Sequence, residues 1–73
     1  MIIEYTRHAR RRMKWRKILE SEVELAIGEP DMVEPTEKKR HNAYKTIKGK
    51  LLKVTYRISE NQTQIISALW KEE

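Results

Sequence analysis

Residues 7 to 18 read RHARRRMKWRKI, seven basic side chains in twelve positions with His8, Met13 and Trp15 set among them. Arginine and lysine supply positive charge and forked donors for phosphate oxygens, and a tryptophan among them offers a stacking surface for an unpaired base. On a helix, Arg12 and Arg16 stand one and two turns beyond His8. Cations so placed would keep its imidazole neutral, as a general base must be. A second polar set follows later in the chain. Lys53, Thr55 and Arg57 alternate with Leu52, Val54 and Tyr56, and Tyr44 or Lys45 stands beside them depending on how the preceding hairpin is registered. One chemistry uses both sets: a neutral base activates a ribose 2′-hydroxyl while cations stabilise the pentacovalent phosphate, with no metal required.

Each of these features also has a plainer explanation. A basic helix face keeps a small domain soluble, a histidine near a helix start packs its ring there, and a half-exposed sheet always turns alternate polar residues outward. What favours an anionic partner is the distribution of charge. The net charge is +5, but residues 7 to 17 hold seven positive charges and no acid, whereas residues 20 to 37 hold seven acids and no base. His41, in the basic run KKRH, is expected to be exposed.

Other chemistries lack their residues. The chain has no cysteine, which removes disulfides, thiolate nucleophiles and thiolate metal sites, and its two histidines lack a companion cluster of carboxylates. No acid pair is spaced for glycoside hydrolysis, and no glycine-rich phosphate loop or Ser-His-Asp set is present. Neither a metal nor a cofactor is expected. No apolar run approaches the ~20 residues of a membrane span and no signal peptide is visible, so a cytoplasmic protein is expected.

The elements that must position these residues can be read in outline. Seventy-three residues suffice for one domain, taken as 1–73, with a small core. The opening MIIEYT reads as the approach to a strand or helix. A first helix is expected from Thr6, as N-cap, to about Lys17, with Ala9, Met13 and Arg16 along one stripe and His8, Arg12 and Trp15 along the next. SEVE suggests a capping box at Ser21 and Glu24 for a second helix, which buries Val23, Ala26 and Ile27 and closes at a left-handed Gly28 before Pro30. DMVEP suggests a short edge strand. HNAYKTI, a KGK turn with Gly49 at positive φ, LLKVTYRI, a SENQ turn and TQIISALW then make antiparallel strands, with Trp70 finishing the core and Lys71 at its rim. Helices can cover only one face of such a sheet.

The stretches H8-A-R-R-R12-M13-K-W-R16-K-I18, P30, Y44-K-T-I-K-G49-K-L-L-K-V and A68-L-W70 together resemble a small bacterial and archaeal domain family of uncharacterised function. That family has a His-Ala-x-x-Arg-Met-x-x-Arg-x-Ile helix, a helix closing before a proline, and a three-strand sheet. It is in turn similar to the RelE/ParE and BrnT toxin superfamily, in which two helices pack on an antiparallel sheet. Several of those toxins are metal-independent ribonucleases neutralised by an antitoxin. The resemblance implies that His8, Arg12 and Arg16 are polar motif positions, Met13 and Ile18 core positions, and Tyr44 the strand aromatic. It supplies no established catalytic set.

The expected fold is therefore α+β, two N-terminal helices on one face of a three- or four-stranded antiparallel sheet of RelE/BrnT type. The expected function is RNA binding by a toxin-like protein, with metal-independent cleavage as its enzymatic form and an acidic antitoxin-like protein as a partner. The alternative is a binding module for nucleic acid or an acidic protein, without catalysis. For cleavage the set is His8 as base, Arg12, Arg16 and Arg57 as phosphate clamps and Tyr44 as a positioning or stacking group. For nucleic-acid binding it is Arg7, Arg11, Arg12, Lys14, Trp15, Arg16 and Lys53.

Overall fold

Thr6 fixes where the first helix starts. Its backbone is extended (φ −69°, ψ 160°) and its hydroxyl accepts a 3.0 Å hydrogen bond from the Ala9 amide, leaving α1 to run over Arg7–Arg16. The other end closes at Lys17, which adopts a left-handed φ of 56°. The amides of Lys17 and Ile18 reach back to the carbonyls of Lys14 and Met13, and the buried Ile18 and Met13 side chains complete this Schellman closure.

In the computed structural model, which describes residues 2–71, the remaining elements are β1 (Ile2–Tyr5), α2 (Glu20–Gly28), β2 (Met32–Pro35), β3 (Arg40–Ile47), β4 (Lys50–Ser59) and β5 (Gln62–Lys71). The Met1 end of the MIIEYT stretch, and residues 72 and 73 of the expected 1–73 domain, lie outside the described residues. The sheet is five-stranded in the order β1-β5-β4-β3-β2. This corrects the expected three or four antiparallel strands, because β1 pairs with β5 in parallel and makes the sheet mixed. Residues 2 to 5 are too few to signal a strand by themselves, and their partner lies about sixty residues along the chain.

The hairpin between β3 and β4 has a two-residue loop in which Lys48 (φ 52°) and Gly49 (φ 81°) are both left-handed, as a twist-compatible type I′ turn requires. That loop sets the register: Tyr44 lies opposite Lys53 and Lys45 opposite Leu52. Leu52, Val54 and Tyr56 face the helices, so Lys45 shares their face and Tyr44 does not. A bulge in β5 at Ile66 restores the alternation, and Ile65 and Ala68 both reach the core.

Both helices lie on the same face of the sheet, α1 against β5 and α2 across β3 and β4. Ala9, Met13, Ile18, Val23 and Ala26 meet Ala43, Leu52, Val54, Tyr56, Ile65 and Ala68 in one core. Trp70 packs at its margin and donates its indole N–H to the Arg16 carbonyl.

Three local expectations are corrected. The second helix is capped at Leu19, whose amide donates to the Glu22 carboxylate, and Ser21 lies inside the first turn. Gly28 ends the helix without a left-handed φ, and Glu29 (φ −136°) takes the chain away. His41 is half-buried, stacked on Tyr56 at 5.4 Å, with its Nδ1 buried and lacking a hydrogen-bond partner among the described residues.

Candidate nucleic-acid interface

The inward stripe of α1 is structural. Ala9 and Met13 are buried, and the Arg16 guanidinium, at the same angular position, donates through Nη1 to the Ala68 carbonyl on β5 at 2.8 Å. With the reciprocal bond from Trp70, this ties the end of the helix to the last strand. Arg16 is thus committed to holding the helix in place, and only its remaining N–H groups are free for a ligand.

One flank of α1 turns toward α2. Arg10 makes a 2.7 Å ion pair with Glu20 and lies 4.9 Å over the Tyr5 ring. The Tyr5 phenol is pushed up to about 12, first by burial and then by Glu20 and Glu24, with Arg10 opposing them.

The outer face is different. Arg7, His8, Arg11, Lys14 and Trp15 are all exposed, and Arg12 is half-buried at its edge. Arg7, Arg11, Arg12 and Lys14 form no ion pair among the described residues. Trp15 is 73% exposed, an unusual setting for the largest apolar side chain. The Arg12 guanidinium sits 5.7 Å from its ring, and Arg11, Arg12, Lys14 and Trp15 border an open depression of about 640 Å³. An aromatic ring fixed by one cation and flanked by two more can stack a base while the cations meet its phosphates.

The far face of the sheet carries a second polar group of residues. The Tyr44 phenol donates to Glu34 at 2.6 Å, Asn42 donates to the same carboxylate at 3.3 Å, and the Thr55 hydroxyl donates to Asn42 at 2.8 Å. Lys71 stands 5.6 Å over the Tyr44 ring. No helix covers this face, yet neighbouring side chains leave Tyr44 6% and Asn42 8% exposed. The hydrogen bonds from Tyr44 and then Asn42 hold the Glu34 carboxyl below its ordinary range, with Lys53 and Lys71 adding to the effect. The Tyr44 phenol is raised, chiefly by its bond to Glu34, so it stays protonated and donates. Arg57 lies on this face too, within 3.4 Å of Gln64 and four residues along β4 from Lys53. At ~3.3 Å per residue that is about 13 Å from the Tyr44 rung.

The structure therefore does not bring the five cleavage candidates together, and Arg16 is already engaged with the Ala68 carbonyl. His8 and Arg12 stand on the helix side, Tyr44 and Arg57 on the opposite side, and the sheet lies between them. The sequence could not show this, because the faces are assigned by hairpin register and by the side on which the helices dock. Of the binding candidates, Arg7, Arg11, Arg12, Lys14 and Trp15 share the outer part of α1, Arg16 turns inward, and Lys53 joins the sheet face. Glu34, Asn42 and Lys71 were missed as members of that face; only the pairing of β2 with β3 and of β4 with β5 reveals them. Among the described residues no three His, Asp or Glu side chains gather as metal ligands would, and no helix is long and apolar enough to cross a membrane.

A family model for a domain of unknown function, DUF4258, matches residues 5–70, which spans β1's last residue through Trp70 and so takes in both helices. The chain belongs to the DUF4258 family. No curated protein and no solved structure matches it. Within this DUF4258 chain the matched region includes the whole outer face of α1 and all of the open sheet face except Lys71 and the residues of β1 before Tyr5.

Proposed function

We propose that this DUF4258 domain binds single-stranded RNA on the outer face of α1, as a toxin-like protein of the RelE/BrnT kind. One observation carries the reading: Trp15 is exposed among Arg11, Arg12 and Lys14, cations with no acidic partner among the described residues. A solvated helix face needs its charges but gains nothing from an exposed indole, whereas a base-stacking platform needs both.

Cleavage has weaker support from the geometry. The sheet face holds clamps (Lys53, Lys71, Arg57) and a protonated donor (Tyr44), but its carboxylate is occupied by Tyr44 and Asn42. The helix face holds a candidate base, His8, exposed and, among the described residues, without a side-chain hydrogen bond to orient it. A 2′-hydroxyl attack needs base and clamps within reach of one phosphate.

The test is binding of a mixed-sequence, unstructured RNA in EDTA across a salt series. Affinity should fall with salt by a log–log slope of about −0.7 per phosphate contacted. A flat salt response, or unchanged affinity in Trp15→Ala, would remove RNA binding by α1. Products appearing in the same EDTA reaction and absent with His8→Ala would restore the enzymatic form.

A further inference from the structure

The end of α1 and the β3–β4 hairpin enclose a second concavity, separate from the outer helix face. Arg16 and Lys17 come from the helix end, Lys48 and Lys50 from the hairpin, and Trp70 from β5; together they border a cleft of about 300 Å³. Two distant parts of the chain thus bring four cations to one place beside Trp70, and their convergence depends on the fold. A helix with a basic face does not create it.

Among the described residues one acid, Glu22, borders this cleft. Glu22 is half-buried there, and its carboxylate already accepts the Leu19 amide at 2.8 Å. Lys17, Lys48 and Lys50 form no ion pair among the described residues. The floor is firm: Trp70 donates to the Arg16 carbonyl at 3.1 Å, Arg16 donates to Ala68, and the Lys50 ammonium sits 5.8 Å over the Trp70 ring. Like charges gathered around one cleft repel one another, and a multiply charged anion would relieve that repulsion. A volume at the small end of ligand clefts suits one phosphoryl group and its immediate attachment better than an extended chain.

We infer that the cleft bordered by Arg16, Lys17, Lys48, Lys50 and Trp70 is a binding site for a terminal phosphate, a dianionic phosphomonoester group. The inference stands apart from RNA binding by α1, since none of the outer-face residues Arg11, Lys14 and Trp15 borders the cleft. Such a group can be the 5′ end of an RNA or belong to a small phosphorylated molecule.

The experiment is an amide and indole NMR titration of the full chain with inorganic phosphate, against chloride at matched ionic strength. The Trp70 indole N–H and the amides of Lys17, Lys48, Gly49 and Lys50 should move together and saturate with phosphate only. Lys48→Asn with Lys50→Gln keeps a turn residue that accepts positive φ and removes two exposed charges. This variant should weaken phosphate binding by about tenfold or more while α1 still binds RNA. A 5′-phosphorylated dinucleotide binding more tightly than both its 5′-hydroxyl form and free phosphate would identify the RNA end. Equal binding of the phosphorylated dinucleotide and free phosphate would identify a small ligand. Non-saturating shifts spread over all lysines, or saturation unchanged in the double variant, would overturn the site.

Discussion

The outer face of α1 and the open face of the sheet are both polar and cationic, but they differ in how their groups are satisfied. On the sheet, Glu34, Tyr44, Asn42 and Thr55 answer one another through hydrogen bonds of 2.6 to 3.3 Å, and Tyr44 and Asn42 are almost closed to solvent. On the helix, Arg7, Arg11 and Lys14 have no counter-charge among the described residues, and Trp15 projects beside them. A network that satisfies itself stabilises the fold and must be broken to admit a ligand. Cations without protein partners are ready to exchange water and counterions for phosphate. Charge alone would rank the two faces together; pairing separates them.

Reversing charge on one face gives the largest expected effect. Arg11→Glu with Lys14→Glu should lower RNA affinity on the order of 100-fold at low salt and reduce the salt slope by about 1.4, two contacts on a single strand. Both residues are exposed, so the melting temperature should barely move. Gel shift over a salt series, alongside thermal melting, checks both. The same effect from reversing Lys53 alone would reverse the ranking of the two faces.

Trp15→Ala is next, with a loss of about 1–3 kcal/mol in binding free energy if the indole stacks a base. Trp15→Phe should recover much of this, and Trp15→Leu should not. Fluorescence anisotropy with a labelled RNA distinguishes the three.

Tyr44→Phe sharpens the contrast from the other side. It removes the donor to Glu34 and should cost about 1 kcal/mol of stability without changing RNA affinity. Chemical denaturation measures the first and anisotropy the second. Lost affinity at unchanged stability would instead make Tyr44 part of the interface.

The smallest effect expected is in the response to acid. Asp31 is held below its ordinary value, first by the Thr46 amide and then by Lys45, and Glu34 is lowered by Tyr44 and Asn42. Lowered folded-state values mean that the unfolded chain binds more protons, so their stabilisation is present above the ordinary carboxylate range near ~4 and is lost as pH falls through it and below. Melting temperature should drop over that interval, and Asp31→Asn with Glu34→Gln should flatten the drop. An unchanged profile in the double variant would show that other carboxylates govern it.

Much of the fold was legible because its signals are local. Thr6 caps α1, Ala9 and Met13 fall inward, Gly49 takes the positive φ of the hairpin, and Leu52, Val54 and Tyr56 alternate into the core. What was not legible depends on distant partners. β1 becomes a strand only because β5 lies beside it, and Leu19 displaces Ser21 as cap because Glu22 reaches back to its amide. The candidate site shows the same division. The basic run and Trp15 could be read directly, whereas the separation of His8 from Tyr44 and Arg57 follows from a two-residue loop that turns Tyr44 away from the helices.

The most direct test is to map which backbone amides of the intact protein shift when a mixed-sequence single-stranded RNA is added. Arg7, His8, Arg11, Arg12, Lys14 and the Trp15 indole N–H should shift in a saturable, salt-sensitive way, while Asn42, Tyr44, Lys53 and Thr55 stay in place. Shifts confined to the sheet residues, or none on either face, would contradict RNA binding by α1.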